Sequence, residues 1–146
     1  MSRRGEAMSY EEKGIWVYLV AGAGAYAVYL AIILGRLQGT PVAEVPYAWV
    51  LLWTTVASVV ASTAGRTLVE TIRPSDSHRR DVRDKEIYRF GEYASRWFVV
   101  GGAAAAFFMA LATVDYFWIA NVIYLGFVLW AIAGSVVKLV AYRRGL

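Results

Sequence analysis

The sequence predicts an all-α integral membrane protein: a four-helix bundle with both termini on the cytoplasmic side and a third helix extended into the cytoplasm. Three observations predict it. Of 146 residues, 59% are hydrophobic and only 18% charged, with a mean hydropathy of +0.48, more apolar and less charged than a soluble domain. Four segments reach the ~20 apolar residues that a hydrocarbon core requires, at 15–34, 46–65, 97–114 and 117–137, none with an internal charge. Lysine and arginine cluster on one side of those spans.

The first span is too long for the apolar region of a signal peptide, and the sequence AIILGRLQG after it makes a poor cleavage site. Orientation follows from the basic residues. Arg3, Arg4 and Lys13 precede the first span. Arg66, Arg73, Arg79, Arg80, Arg83, Lys85, Arg89 and Arg96 fall in or beside the central connection. Lys138, Arg143 and Arg144 close the chain, and Arg36 alone lies on the other side. The positive-inside rule therefore places both termini and the 73–96 segment in the cytoplasm. Aromatic residues mark the boundaries: Trp16 and Tyr18, Tyr47 with Trp49 and Trp53, Trp97 and Phe98, then Tyr116 to Trp118, and finally Tyr142.

Small residues indicate where helices can approach. The first span has Ala23, Ala27, Ala31 and Gly35 at four-residue intervals. The third has Gly102, Ala106 and Ala110, and the fourth has Gly126 and Gly134 around Trp130. Such rows predict close packing, within the bundle or at a homodimer seam. In the second span, Thr55, Ser58, Ser62 and Arg66 share a helical face, with Glu70 four residues beyond Arg66. The stripe reads either as a polar pathway for an ion or solute, or as hydroxyls bonded to their own helix, with Arg66 and Glu70 paired at the boundary. The second reading is preferred because no ionisable group lies in mid-span. Asn121 is a buried-amide candidate on the fourth span, and Asp115 lies in the outer turn.

The only long polar stretch is RPSDSHRRDVRDKEIYRFGEYASRW, from Arg73 to Trp97. Pro74 ends the second helix, and Ser75 to Ser77 are turn and cap residues. A new helix starts near Asp81, with Asp81 and Asp84 in its first turn. Asp81 with Lys85, Glu92 with Arg96 and Glu86 with Arg89 are spaced as helical ion pairs. Ile87, Phe90, Ala94 and Trp97 form one apolar stripe that runs into the third span. One long helix is expected, projecting into the cytoplasm or bending along the interface near Gly91. It reads as a plain structural helix on the lipid surface, as a mixed-charge surface that docks another protein, or as a site for an anionic ligand. Nucleic acid is excluded as a direct partner, since Asp81, Asp84, Glu86 and Glu92 repel phosphate and no recognition motif is present.

At DVRDKEIYRFGE, Asp81 to Glu92, the chain resembles a family of small, uncharacterised bacterial membrane proteins with four helices and a D-x-R-D/E-x-x-I motif opening the third. Asp81, Arg83, Asp84 and Ile87 are the matching positions, and the YRFGEYASRWF continuation looks like a subgroup feature. Members are often encoded beside a small helix-turn-helix regulator. The resemblance implies a bacterial inner-membrane protein with a cytoplasmic regulatory partner, and it implies no activity.

Catalytic chemistry has little to work with. The chain has no cysteine, which removes thiolate catalysis and thiolate metal sites, and its one histidine, His78, sits beside Arg79 and Arg80. No catalytic set can be assembled, and no cofactor or metal is expected. The preferred reading is a non-enzymatic inner-membrane protein that binds a partner or senses the membrane through the 81–96 helix. Its docking candidates are Asp81, Arg83, Asp84, Ile87, Arg89, Phe90 and Glu92. The alternative is a small transporter or channel working as a homo-oligomer. The chain resembles four-helix multidrug exporters in length but lacks an acid within its first span.

Overall fold

A computed structural model describes residues 10–72 and 82–144. Four helices account for nearly all of them: α1 (Tyr10–Leu37), α2 (Ala48–Ile72), α3 (Val82–Leu111) and α4 (Tyr116–Arg144). A short 3₁₀ turn, Val42–Glu44, lies between α1 and α2. All four helices are long and apolar enough to cross a membrane. At ~1.5 Å per residue they are on the order of 38–45 Å long, against a hydrocarbon core of ~30 Å. Each is longer than the span expected from hydropathy, although α2 starts at Ala48 rather than 46 and α3 ends at Leu111 rather than 114, where the turn around Thr113 begins.

Local chemistry sets the helix ends. α1 opens with Glu11 and Glu12 and closes with Arg36, and α4 closes with Arg143 and Arg144. Each charge complements the helix dipole at its terminus. Gly39, at φ 90°, lets the chain turn out of α1. α3 ends in a Schellman motif: Thr113 N–H donates to Ala110 O and Val114 N–H to Met109 O. The residue in the left-handed position is Thr113, at φ 54°, where glycine is the usual choice. Asp115 then caps α4, its Oδ1 accepting from the Phe117 N–H at 2.8 Å.

The main interfaces are α3 with α4, α1 with α2, and α1 with α4; α2 and α3 form no comparable interface. The helices thus follow the order α2, α1, α4, α3, leaving a cleft between α2 and α3. The α3/α4 seam is the closest approach. A Cβ on Gly126 would lie 3.1 Å from Phe98 O and 3.3 Å from Gly102 Cα, and one on Gly134 would meet Ser95 Oγ at 2.9 Å. Glycine suits the seam because at Gly126 the facing backbone, and at Gly134 the Ser95 side chain, takes up the space of a side chain. α3 is continuous through Gly91, whose missing side chain makes room for the Lys138 stem and Gly134 O rather than a bend. The α1 row behaves differently. Ala27, Ala31 and Gly35 are exposed, and a Cβ on Gly35 would meet nothing within 4 Å.

At the end away from the termini, Tyr29, Ile33, Val45 and Phe117 form the buried core cluster. Tyr29 is fully buried and donates to Asn121 Oδ1 at 2.7 Å, while Asn121 Nδ2 donates to Phe117 O. Tyr26, Tyr29 and Tyr124 pack edge-to-face or stacked around this pair. Elsewhere the surface is strongly apolar. Trp49 is 69% exposed, and Trp53, Leu68, Phe107, Phe108 and Leu111 are each more than half exposed. That is far more apolar surface than a water-facing protein tolerates.

Candidate functional site

The start of α1, the end of α2, the start of α3 and the end of α4 meet at one end of the molecule, here called the basic end. Its anchor is an ion pair between helices. Lys138 Nζ donates to Glu92 Oε1 at 2.6 Å and lies 3.6 Å from the centre of the Tyr88 ring. Lys138 is 7% exposed. A lysine this buried requires such a partner, because an isolated ammonium in an apolar surround is costly. Gly91 and Gly134 make the pair reachable: α3 comes near enough to α4 that the lysine stem lies across Gly91 and extends toward Glu92. Ser95, almost fully buried, donates to Gly91 O one turn along. At the tip, Tyr142 donates its hydroxyl to Asp84 Oδ1 at 2.7 Å.

These contacts divide the basic end of α3 into two faces. Asp84, Ile87, Gly91, Glu92 and Ser95 are turned toward α4 or the cleft, and Ile87, Gly91 and Ser95 are buried. Arg83, Arg89, Phe90, Tyr93 and Arg96 are exposed. Phe90 is 58% exposed, and the Arg96 guanidinium stacks 4.2 Å from the centre of Tyr93. Of the docking candidates, Arg83, Arg89 and Phe90 therefore lie on the outward face. Asp84, Ile87 and Glu92 belong to the α3/α4 seam, and Asp81 lies outside the described residues. The pairing of Glu92 also differs from the expected helical one with Arg96, since Glu92 turns inward to Lys138.

The α2 stripe is only partly brought to a common site. Thr55 is exposed and donates to Leu51 O; the buried threonine is its neighbour Thr54, bonded to Val50 O and within 3.4 Å of the Tyr124 hydroxyl. Ser62 donates to Ser58 O. Arg66 and Glu70 approach to 3.9 Å on the surface. Ser62 and Arg66 line a cavity of about 350 Å³ between all four helices, together with Glu11 and Tyr18 from α1, Tyr88 and Glu92 from α3, and Trp130 and Lys138 from α4. A cavity of this size, with mostly apolar walls and a few convergent polar groups, has the character of a small-ligand site.

Sequence reasoning passed over Lys138, Tyr88, Tyr18 and Trp130 as members of this cavity. One signal was present: a lysine inside the run AIAGSVVKLVAY, four residues after a glycine. No cluster of three metal-ligating side chains occurs among the described residues. No family model, curated protein or solved structure matches the chain.

Proposed function

We propose that this chain is a multi-pass, non-enzymatic protein of the bacterial cytoplasmic membrane, with both termini in the cytoplasm, that binds a cytoplasmic regulatory protein through the outward face of α3. The two-faced basic end carries the reading. One face is locked to α4 by Lys138–Glu92 and Tyr142–Asp84, so the other, with Arg83, Arg89, Phe90, Tyr93 and Arg96 exposed, is a rigid and chemically mixed surface. Aromatic and arginine side chains held on a rigid element are the usual anchors of protein recognition. The orientation is supported by the basic residues at this end and by Arg36 alone at the other, where its guanidinium donates to Pro46 O.

The test is photo-crosslinking in cells from positions 89 and 93. A discrete protein adduct from both positions, lost from position 93 when Arg89→Glu is added, supports docking. Adducts to lipid alone would overturn it.

A second reading, a small transporter working as a homo-oligomer, is favoured by one observation. The cavity brings Ser62, Arg66, Glu92 and Lys138 together between the helices. It predicts that filling the cavity with Ser62→Phe stops solute flux, whereas the docking reading leaves crosslinking at position 89 intact in that variant.

A further inference from the structure

Two arginines of α3 lack the partners that helical spacing assigns to them. Glu92 is turned to Lys138 rather than Arg96, and among the described residues no carboxylate lies within ion-pair distance of Arg89 or Arg96. The two stand about two helical turns apart and so project from one face of α3. Both line an open groove of about 870 Å³ between α3 and α4. Tyr93 lies between them, the centre of its ring 4.2 Å from the Arg96 guanidinium. Glu92 also borders the groove, but Lys138 neutralises its carboxylate at 2.6 Å. The groove therefore opens on a net positive charge.

Toward the middle of the span the same groove becomes apolar. Val99, Val100 and Phe127 wall it, and through Val99 and Phe127 it continues into a hollow of about 340 Å³ lined only by apolar residues. The hollow exists because Ala103 and Ala106 fill little of the space beside Phe107, Ile119 and Ile123. Its depth matches one leaflet. From Arg96 to Ala106 the helix rises ~15 Å, half of a ~30 Å hydrocarbon core. Cationic groups stand at one end of the track and methyl-lined space at the other, which is the polarity of a phospholipid with its phosphate at the boundary. The cationic end also selects headgroup charge. Arginine's planar fork suits phosphate oxygens. Arg89, ~10 Å nearer the basic end than Arg96, repels the ammonium of a zwitterionic headgroup.

We propose that the groove between α3 and α4 holds one phospholipid of net negative charge. Its phosphate sits on Arg96, its headgroup lies beside Arg89, and one acyl chain follows Val99, Ala103 and Phe127. This inference rests on the membrane reading above. Arg89 and Tyr93 line the groove and also belong to the face proposed to dock a partner. Lipid and partner therefore compete for them, and Arg83, outside the groove, stays with the docking face.

The test is native mass spectrometry of the full chain, delipidated in detergent and then titrated with phosphatidylglycerol and phosphatidylcholine of the same acyl chains, and separately with soluble glycerophosphoglycerol. Recovery of the chain in carbonate-washed membranes is scored first; its absence would overturn the membrane reading and this inference together. For protein recovered in membranes, the expected result is one phosphatidylglycerol retained per chain, with about tenfold preference over phosphatidylcholine. The preference is lost in Arg96→Gln and kept in Arg143→Gln, whose arginine lies at the same end but outside the groove. Ala103→Leu, at an exposed position, fills the hollow and abolishes retention of the single lipid. Equal retention of the two lipids, retention of neither, or a preference lost equally in Arg143→Gln would overturn the inference while leaving the membrane reading standing. Binding of glycerophosphoglycerol as tightly as the lipid would show a soluble phosphate ester as the ligand and overturn the role of the groove. No partner protein enters the assay, so failure here leaves the docking reading to its own crosslinking test. The wild-type comparison across lipids decides the matter even if a variant fails to fold.

Discussion

Lys138 and Glu92 meet across the α3/α4 seam at 2.6 Å, from positions 46 residues apart in sequence, with the Tyr88 ring beneath the ammonium. The pair fixes which face of α3 is presented outward. Lys138→Met leaves Glu92 without its cation, and Glu92→Gln weakens the partner of a lysine that is only 7% exposed. Glu92 retains 37% side-chain exposure, so part of the cost is relieved by solvent. Each single change is expected to lower stability by about 1–3 kcal/mol. The charge-swapped double variant should recover part of the loss. Unfolding followed by helical circular dichroism in mild detergent reads both.

The glycine contacts at Gly102 and Gly126 are expected to be intolerant of side chains. Gly126→Val places branched carbons against Phe98 O and Gly102 Cα, which already crowd a Cβ at 3.1 and 3.3 Å. A cost of about 1–3 kcal/mol follows, larger if the helices cannot separate. Gly35→Ala, with nothing within 4 Å of the new carbon, is expected to be neutral or slightly stabilising in the same unfolding assay.

Tyr29→Phe removes the donor to Asn121 Oδ1 from a fully buried site. The expected loss is roughly 1 kcal/mol, in the range of hydrogen bonds between membrane helices. Combining Tyr29→Phe with Asn121→Leu should cost less than the sum of the two changes, because the second removes the orphaned acceptor. A double-mutant cycle measures the difference.

Thr113 holds a left-handed conformation in the turn between α3 and α4. Thr113→Gly relieves strain on the order of 1 kcal/mol and should raise the unfolding midpoint slightly. Thr113→Val keeps the branched Cβ, loses the side-chain hydrogen bond to Ala112 O, and should lower it.

Much of the fold was legible because it is local. The four apolar runs, the helix that begins just before the third span and the turn at Asp115 all follow from periodicity, hydropathy and capping chemistry in short windows. The site was less legible. Glu92 lies four residues before Arg96, and helical spacing alone assigns it there; only the approach of α3 and α4 at Gly91 and Gly134 turns it toward Lys138. In the same way, Thr54 rather than Thr55 faces the interior, because the crossing of α2 against its neighbours, and not the stripe of hydroxyls, sets its rotation. The α1 row of Ala27, Ala31 and Gly35 carries the same composition as the seam yet is exposed, so small-residue spacing reports the capacity to pack and not the partner.

The central claim is that the outward face of α3 lies in the cytoplasm. The chain has no cysteine, so single cysteines give clean reporters. Cysteines placed at position 40, in the turn after α1, and at position 89, on the exposed face of α3, would be probed in spheroplasts with a membrane-impermeant maleimide. The account predicts labelling at 40 in intact spheroplasts, and labelling at 89 only after lysis. Labelling at 89 from outside, with 40 protected, would invert the protein in the membrane and contradict the docking role.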